Sequence, residues 1–236
     1  MSKAKSRAVA VIVGAGPGVG TALARRVAAA GMAVAMARRS AAKLDKLAAE
    51  IGGRAYACDA TDGGAVEALF ADVGRDLGPP ALVVYNAGAY RPGGILEIDP
   101  RDFEECWRIG CLGGLHVGQA ALRRMAPAGA GTIIFTGATA SLRGSAGFAN
   151  LAVPKFGLRA LAQSMAREFG PKGIHVAHVL IDGQIAGERP GYRPDERGAD
   201  AVLAPAAIAE SYLHLHEQPR SAWTQELDLR PFVEKF

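Results

Sequence analysis

Residues Val9-Ala10-Val11-Ile12-Val13 run directly into Gly14-Ala15-Gly16-Pro17-Gly18-Val19-Gly20, and an Ala-rich helical pattern continues from Thr21 to Ala30. Five consecutive apolar residues suit a strand buried on both faces, as at the centre of a parallel sheet. Four glycines without Cβ atoms let the turn close tightly and let a ligand approach the backbone. The amides opening the next helix then face that space with the helix dipole behind them, which makes a site for phosphate. A glycine cluster alone says little, but this one stands between a strand and a helix, the context a dinucleotide site requires. An α/β domain is the expectation.

The chain has 236 residues, enough for one substantial core, and 50% of them are hydrophobic. Its 30 glycines are scattered among turns, which excludes a collagen-like repeat. No run of about 20 apolar residues is present to span a bilayer. The basic start, Met1 to Arg7, leads into a strand rather than a signal-peptide core, so a cytoplasmic protein is expected. A net charge of +4, without basic runs interleaved with aromatics, gives no sign of nucleic-acid binding. Cys58, Cys106 and Cys111 lack metal or redox spacing and are expected to be reduced, mostly buried thiols.

Further along, Ala33 to Ala37 reads as a second strand closing on Arg38-Arg39-Ser40. In a dinucleotide fold, an acid at this point favours a free ribose 2′-hydroxyl and an arginine favours a 2′-phosphate. Two guanidinium groups stand here, and their planar forks suit phosphate, so NADP(H) is expected ahead of NAD(H). A helix over 41–51, a strand over 54–58 followed by Asp59, and a helix over 63–77 capped by Asp62 come next. A strand over 81–85 then ends in Asn86-Ala87-Gly88. This alternation predicts a parallel sheet covered on both sides.

Gly14-x-x-x-Gly18-x-Gly20, Asp59 after the third strand and Asn86-Ala87-Gly88 after the fourth together resemble the short-chain dehydrogenase/reductase family, and the resemblance extends to about residue 185. It implies a single doubly wound Rossmann-type domain over 1–236, with a central parallel sheet of about seven strands. It also implies a cofactor site of Gly14, Gly16, Gly18, Val19, Gly20, Arg38, Arg39, Asp59, Ala60, Asn86, Ala87, Gly88, Lys155, Gly183 and Ile185. Within it the glycine loop holds the pyrophosphate and Asp59 contacts the adenine.

The remaining elements expected are a long helix over 102–125, a strand over 132–136, a second long helix over 151–169 and a strand over 174–181. Asp182-Gly183 closes that last strand. Residues 186–200 are expected to form a mobile lid, with Arg189, Tyr192, Arg193 and Arg197 in it, and 201–236 a final helix and strand.

The resemblance fails where the chemistry should be. Family members carry Tyr-x-x-x-Lys on the second long helix, where the spacing puts both side chains on one face. Tyrosine moves the proton while lysine lowers its pKa and holds the ribose. Here Lys155 is present but Leu151 stands four residues before it. The serine position falls on Ala138, the helix asparagine on Gly110, and Asp182-Gly183 replaces Pro-Gly. Two readings follow. In one the protein is an atypical NADP(H)-dependent oxidoreductase acting on a small carbonyl, alcohol or imine. Lys155, Asp182 and Thr139 are then the candidate catalytic groups, with Ser141 and Tyr90 behind them, and an acid beside a buried lysine could acquire a usable pKa. Asp182 is more readily read as a turn residue capping Gly183. In the other reading the domain binds NADP(H) without turnover, as a sensor or partner subunit.

His175 and His178 fall on opposite strand faces and cannot share a metal, and His116 is expected to be packed. Leu158, Leu161, Ala162 and Met165 on one long helix, with the small Gly113, Gly114 and Gly118 on the other, predict a homodimer or homotetramer.

Overall fold

In the computed structural model, which describes residues 7–187 and 198–234, the core is a seven-stranded sheet in the order β3-β2-β1-β4-β5-β6-β7. The strands are β1 (Val9–Val13), β2 (Ala33–Arg38), β3 (Arg54–Ala57), β4 (Pro80–Tyr85), β5 (Gly131–Thr136), β6 (Ile174–Ile181) and β7 (Glu226–Leu229). Every neighbouring pair is parallel. This is the doubly wound arrangement, and its order reverses between β1 and β4. β1 and β6 are buried along their whole length, β1 as a continuous apolar strand covered on both faces and β6 with His175 and His178 among its apolar residues.

One face carries α3 (Gly63–Asp76), α5 (Gly113–Met125) and α6 (Ala149–Phe169), through Phe70, Val117, Leu158 and Met165 among others. The other carries α1 (Val19–Ala29), α2 (Asp45–Ile51) and α7 (Pro205–Glu217), through Leu23, Leu47 and Tyr212. Asp62 caps α3 as expected, accepting from the amides of Gly64 and Ala65.

The long helix expected over 102–125 is interrupted. α4 (Pro100–Trp107) passes through a π turn at Arg108–Leu112 before α5 begins. The cause is tertiary. The buried Tyr85 hydroxyl donates to the Ile109 carbonyl within this turn. A Cβ on Gly110 would lie 2.7 Å from Pro154 Cβ, and one on Gly113 would collide with the Tyr85 hydroxyl. A Cβ on Gly114 or Gly118 would likewise strike Leu158 or Met165. These glycines therefore admit core side chains of the same chain, which corrects their expected part in a contact between subunits.

Of the lid expected over 186–200, residues 188–197, with Arg189, Tyr192, Arg193 and Arg197, lie outside the described residues. Ile185 forms a parallel bridge with Leu203, joining the segment after β6 to the approach to α7. No described helix is long and apolar enough to cross a membrane.

Candidate active site

The carboxyl ends of β1 to β4 enclose a cavity of about 560 Å³, a size ordinary for a small-molecule site. Gly14, Gly16, Arg38, Arg39, Asp59, Ala60, Asn86, Ala87 and Gly88 all line it, so nine of the expected cofactor residues are brought together. Gly14 sits at φ +87°, and a Cβ there would collide with the Ala87 backbone. Its amide donates to the Ala37 carbonyl, and Asn86 Nδ2 donates to the Gly14 carbonyl at 3.2 Å. The glycine loop is thus clamped between the ends of β2 and β4.

Gly18, Val19 and Gly20, expected in the cofactor site, do not line this cavity; Gly18 borders a separate hollow between α1 and α7. Gly18 occupies the N-cap of α1 with φ +86°, and no atom lies within 4 Å of where its Cβ would be. Thr21 and Ala22 spend their amides on the carbonyls of Gly16 and Gly18. Among the described residues the amides of Val19 and Gly20 have no acceptor, and α1 has neither a side-chain cap nor an acid in its first turn. Open amides at a positive helix end beside an uncrowded glycine fit a diphosphate. Gly20 has a second, steric role, because a Cβ there would lie 2.9 Å from Ala15 Cα.

At the end of β2, Arg38 is half-buried and points toward the glycine loop, its Nη1 lying 3.9 Å from the Cβ position of Gly16. Arg39 is exposed and its charge bears on Asp59. Neither guanidinium has an ion pair among the described residues, so both remain available to an anion. Asp59 Oδ1 accepts from the amide and the hydroxyl of Thr61, each at 2.9 Å. The Thr61 amide, aided by the nearby arginines, holds this carboxyl below its ordinary range. His116 is packed, as expected, with Nδ1 3.1 Å from the Ala60 carbonyl.

Lys155 stands on the far side of the cleft, its Nζ 3.8 Å from the Cβ position of Gly88. It is buried, donates to the Thr136 carbonyl at 2.6 Å, and is pushed down to about 8 by desolvation. It makes no ion pair with Asp182, which corrects the expected acid–lysine pair. Asp182 instead accepts from the Thr139 hydroxyl and lies 3.3 Å from Arg230 Nη2. Gly183, at φ +139°, packs where a Cβ would lie 2.8 Å from Pro231 Cδ, so it shapes the end of β6 and does not line the cavity.

The positions without the usual groups have been repacked. Gly110 has no room for an asparagine, because Pro154 fills the space. Leu151 is half-buried, and its neighbour Asn150 is buried with Nδ2 donating to the Arg91 carbonyl at 2.9 Å. Tyr90 stacks on Phe148 with centroids 5.0 Å apart, and the Gly93 amide meets the Gly147 carbonyl. These contacts zip the loop after β4 to the start of α6. Asn150 and Arg230 were not singled out in the sequence. A buried Asn beside the vacant tyrosine position was legible as an anomaly, whereas the role of Arg230 depends on β7 lying next to β6. Among the described residues no group of three His, Cys, Asp or Glu side chains is placed to hold a metal.

These features meet those of known proteins. The family model for short chain dehydrogenase matches residues 8–183. The chain is 32% identical over 180 residues to a 3-oxoacyl-(acyl-carrier-protein) reductase MabA of Mycobacterium avium, covering 76% of this chain and 68% of the relative. A short-chain dehydrogenase structure from Rhodopseudomonas palustris is 41% identical, with TM-score 0.82 over 95% of this chain and 99% of that one. An alcohol dehydrogenase from Thermococcus sibiricus, complexed with 5-hydroxy-NADP, is 28% identical with TM-score 0.86, covering 97% and 98% of the two chains. With its strand order, its glycine turn and the match over most of its length, the chain belongs to the short-chain dehydrogenase family.

Proposed function

We propose that the protein is an NADP(H)-dependent oxidoreductase of small carbonyl, alcohol or imine substrates, in which Thr139 and Asp182 take over proton transfer from the usual tyrosine. The observation that carries this reading is the hydrogen bond from Thr139 to Asp182 at the carboxyl end of β6, one residue past the vacant serine position. Open α/β sheets bind ligands at this edge.

Arg38 and Arg39 would hold the 2′-phosphate, the Val19 and Gly20 amides the diphosphate, Asp59 and Ala60 the adenosine, and Lys155 the nicotinamide ribose. Asn86, Ala87 and Gly88 would line the cleft, whereas Gly183 and Ile185, packed against Pro231 and bridged to Leu203, take no part in it. When bound, the nicotinamide supplies or accepts the hydride. The chain's own part is to move one proton. As an alcohol is oxidised, its hydroxyl proton passes to Thr139 Oγ1 while the threonine proton passes to Asp182; reduction runs the same path backwards. Arg230, hydrogen-bonded to Asp228, lies 3.3 Å from the other oxygen of this carboxylate and would help to hold it in place. Such general acid–base help is worth about 10²- to 10⁴-fold.

The test is NADPH oxidation with a panel of ketones, aldehydes and imines, in the parent chain and in Thr139→Val and Asp182→Asn. The reading expects consumption by at least one compound and a loss of about 10²-fold or more in each variant. Consumption undiminished in both variants contradicts it.

The second reading, a protein that binds NADP(H) without turnover, is favoured by one observation: Lys155 is committed to a backbone carbonyl rather than to a phenol. NADPH bound tightly but never consumed would select it. A homodimer or homotetramer is proposed through the α4 to α6 surface, where Trp107, Val153 and Phe156 are exposed. A monomer in light scattering at micromolar concentration would contradict that.

A further inference from the structure

Behind the turn that carries Ala138 and Thr139 lies a second polar chain, which the proton-transfer scheme does not use. The strand register sets Phe135, His178 and Glu226 side by side across β5, β6 and β7. This places a fully buried histidine within an apolar face. On α6, Arg159 grips the Glu226 carboxylate with two hydrogen bonds of 2.6 and 2.8 Å. Glu226 Oε2 lies 3.5 Å from His178 Nδ1, and His178 Nε2 lies 3.3 Å from Ser141 Oγ. Ser141 Oγ in turn accepts the Ala138 amide at 3.2 Å. Gly137 makes room for all this, since a Cβ there would collide with the imidazole.

The chain has a fixed direction. Arg159 holds the Glu226 carboxyl below its ordinary range, so Glu226 can only accept. His178 Nδ1 makes no hydrogen bond beyond its 3.5 Å approach to this carboxylate, and a proton placed there would leave Nε2 as the acceptor and Ser141 as the donor. Its oxygen is thereby turned toward the Ala138 N–H. The groups facing the ring are Glu226 from β7, Lys155 and Arg159 from α6, and Ser141 from the turn. Burial, reinforced by those two cations, pushes His178 down to about 4, so the ring is neutral at ordinary pH. Ser141 is fully buried and cannot meet a substrate, which excludes a nucleophilic role for the Ser-His-Glu arrangement.

We infer that His178 is a positioning residue: acting through Ser141, and oriented by Glu226 and Arg159, it fixes the Gly137–Ser141 turn so that Thr139 meets Asp182. This rests on the proposed role of Thr139 in turnover. The turn has two anchors on β6, His178 for Ser141 and Asp182 for Thr139. Removing the first leaves the second intact but no longer holds the backbone that presents it.

The experiment uses the full chain with NADPH, in parent, Ser141→Ala, His178→Leu and His178→Gln forms. With the carbonyl compound that the parent consumes fastest, Ser141→Ala and His178→Leu are expected to lower kcat by about 10²-fold, the scale of an ångström-sized misplacement. NADPH affinity should stay within about twofold, because the cavity is lined mostly from the ends of β1 to β4 and none of its lining residues comes from β6 or the Gly137–Ser141 turn. His178→Gln, whose amide oxygen can accept from Ser141, should recover most of the rate. Rates within twofold of the parent in both deletion variants would overturn the inference, as would loss of NADPH affinity in step with kcat.

A spectroscopic arm decides the matter even if the parent binds NADPH but consumes no carbonyl, the result that would defeat the functional reading alone. In long-range proton–nitrogen spectra of histidine-labelled protein, the signal missing from His178→Gln identifies one ring among five. That ring should be neutral with Nδ1 protonated, and hydrogen exchange at the Ala138 amide should accelerate in Ser141→Ala. A ring protonated on Nε2, a charged ring at neutral pH or unchanged exchange would each overturn the inference.

Discussion

Arg38→Ala tests how the cleft selects its cofactor. The guanidinium ends β2, is half-buried, and reaches toward the glycine loop with no carboxylate competing for it among the described residues. A unit charge about 4 Å from an anion contributes about 4 kcal/mol at an effective dielectric of 20. Partial exposure and the loss of phosphate hydration reduce this to the 1.5–3 kcal/mol typical of a charged hydrogen bond, or about 10- to 150-fold in affinity. The second arginine, Arg39, is exposed and shares its field with Asp59, so its removal should cost about 1 kcal/mol or less. The assay is fluorescence titration of NADPH and NADH at one fixed salt concentration. NADPH affinity should fall by the stated factor while NADH affinity changes little, because NADH has no 2′-phosphate. Equal losses for both nucleotides, or none for NADPH, would refute the assignment of this strand end.

Other consequences can be read in stability and in pH. Gly113→Ala would drive a methyl into the Tyr85 hydroxyl and break its bond to Ile109, so the urea midpoint should drop by about 2–4 kcal/mol equivalent with an unchanged slope. His178 is held at about 4 when folded against 6.5 unfolded, so the unfolded chain takes up its proton first. Its contribution is fully present above about 6.5 and is lost as pH falls toward 4. About 2 kcal/mol should disappear between pH 7 and 5, and His178→Gln should lack that part of the melting curve. Lys155, held near 8 instead of 10.5, should make NADPH affinity decline as pH rises through about 8. The same shift should make the unliganded fold gain stability between about 8 and 10.5, and Lys155→Met should flatten both curves.

Local signals located what is locally determined. The bounds of β6 match the expectation because Gly173 and Asp182-Gly183 bracket an apolar stretch interrupted only by His175 and His178. The glycine loop, Arg38 and Asn86 were legible because each is tied to a strand end, and strand ends in a doubly wound sheet converge on one crevice. The π turn at 108–112 left no mark in the helical periodicity, since it follows from Tyr85 and Pro154 arriving from elsewhere. Thr139 and Asp182 were each recognisable as polar groups near the vacant relay. That they contact one another, and that Lys155 stands apart, depends on how the β5 and β6 ends meet. Glu226 and Arg159 look like ordinary surface charges until β7 is placed beside β6.

The most direct test of the account is to titrate NADPH into the purified protein and then follow nicotinamide absorbance as the carbonyl and imine panel is added. The account predicts tight binding, preferred over NADH, followed by oxidation with at least one compound and its loss in Thr139→Val. Binding without oxidation by any compound, unrescued by Leu151→Tyr combined with Ala138→Ser, would contradict the catalytic claim, and failure to bind either nucleotide would contradict the account from its first step.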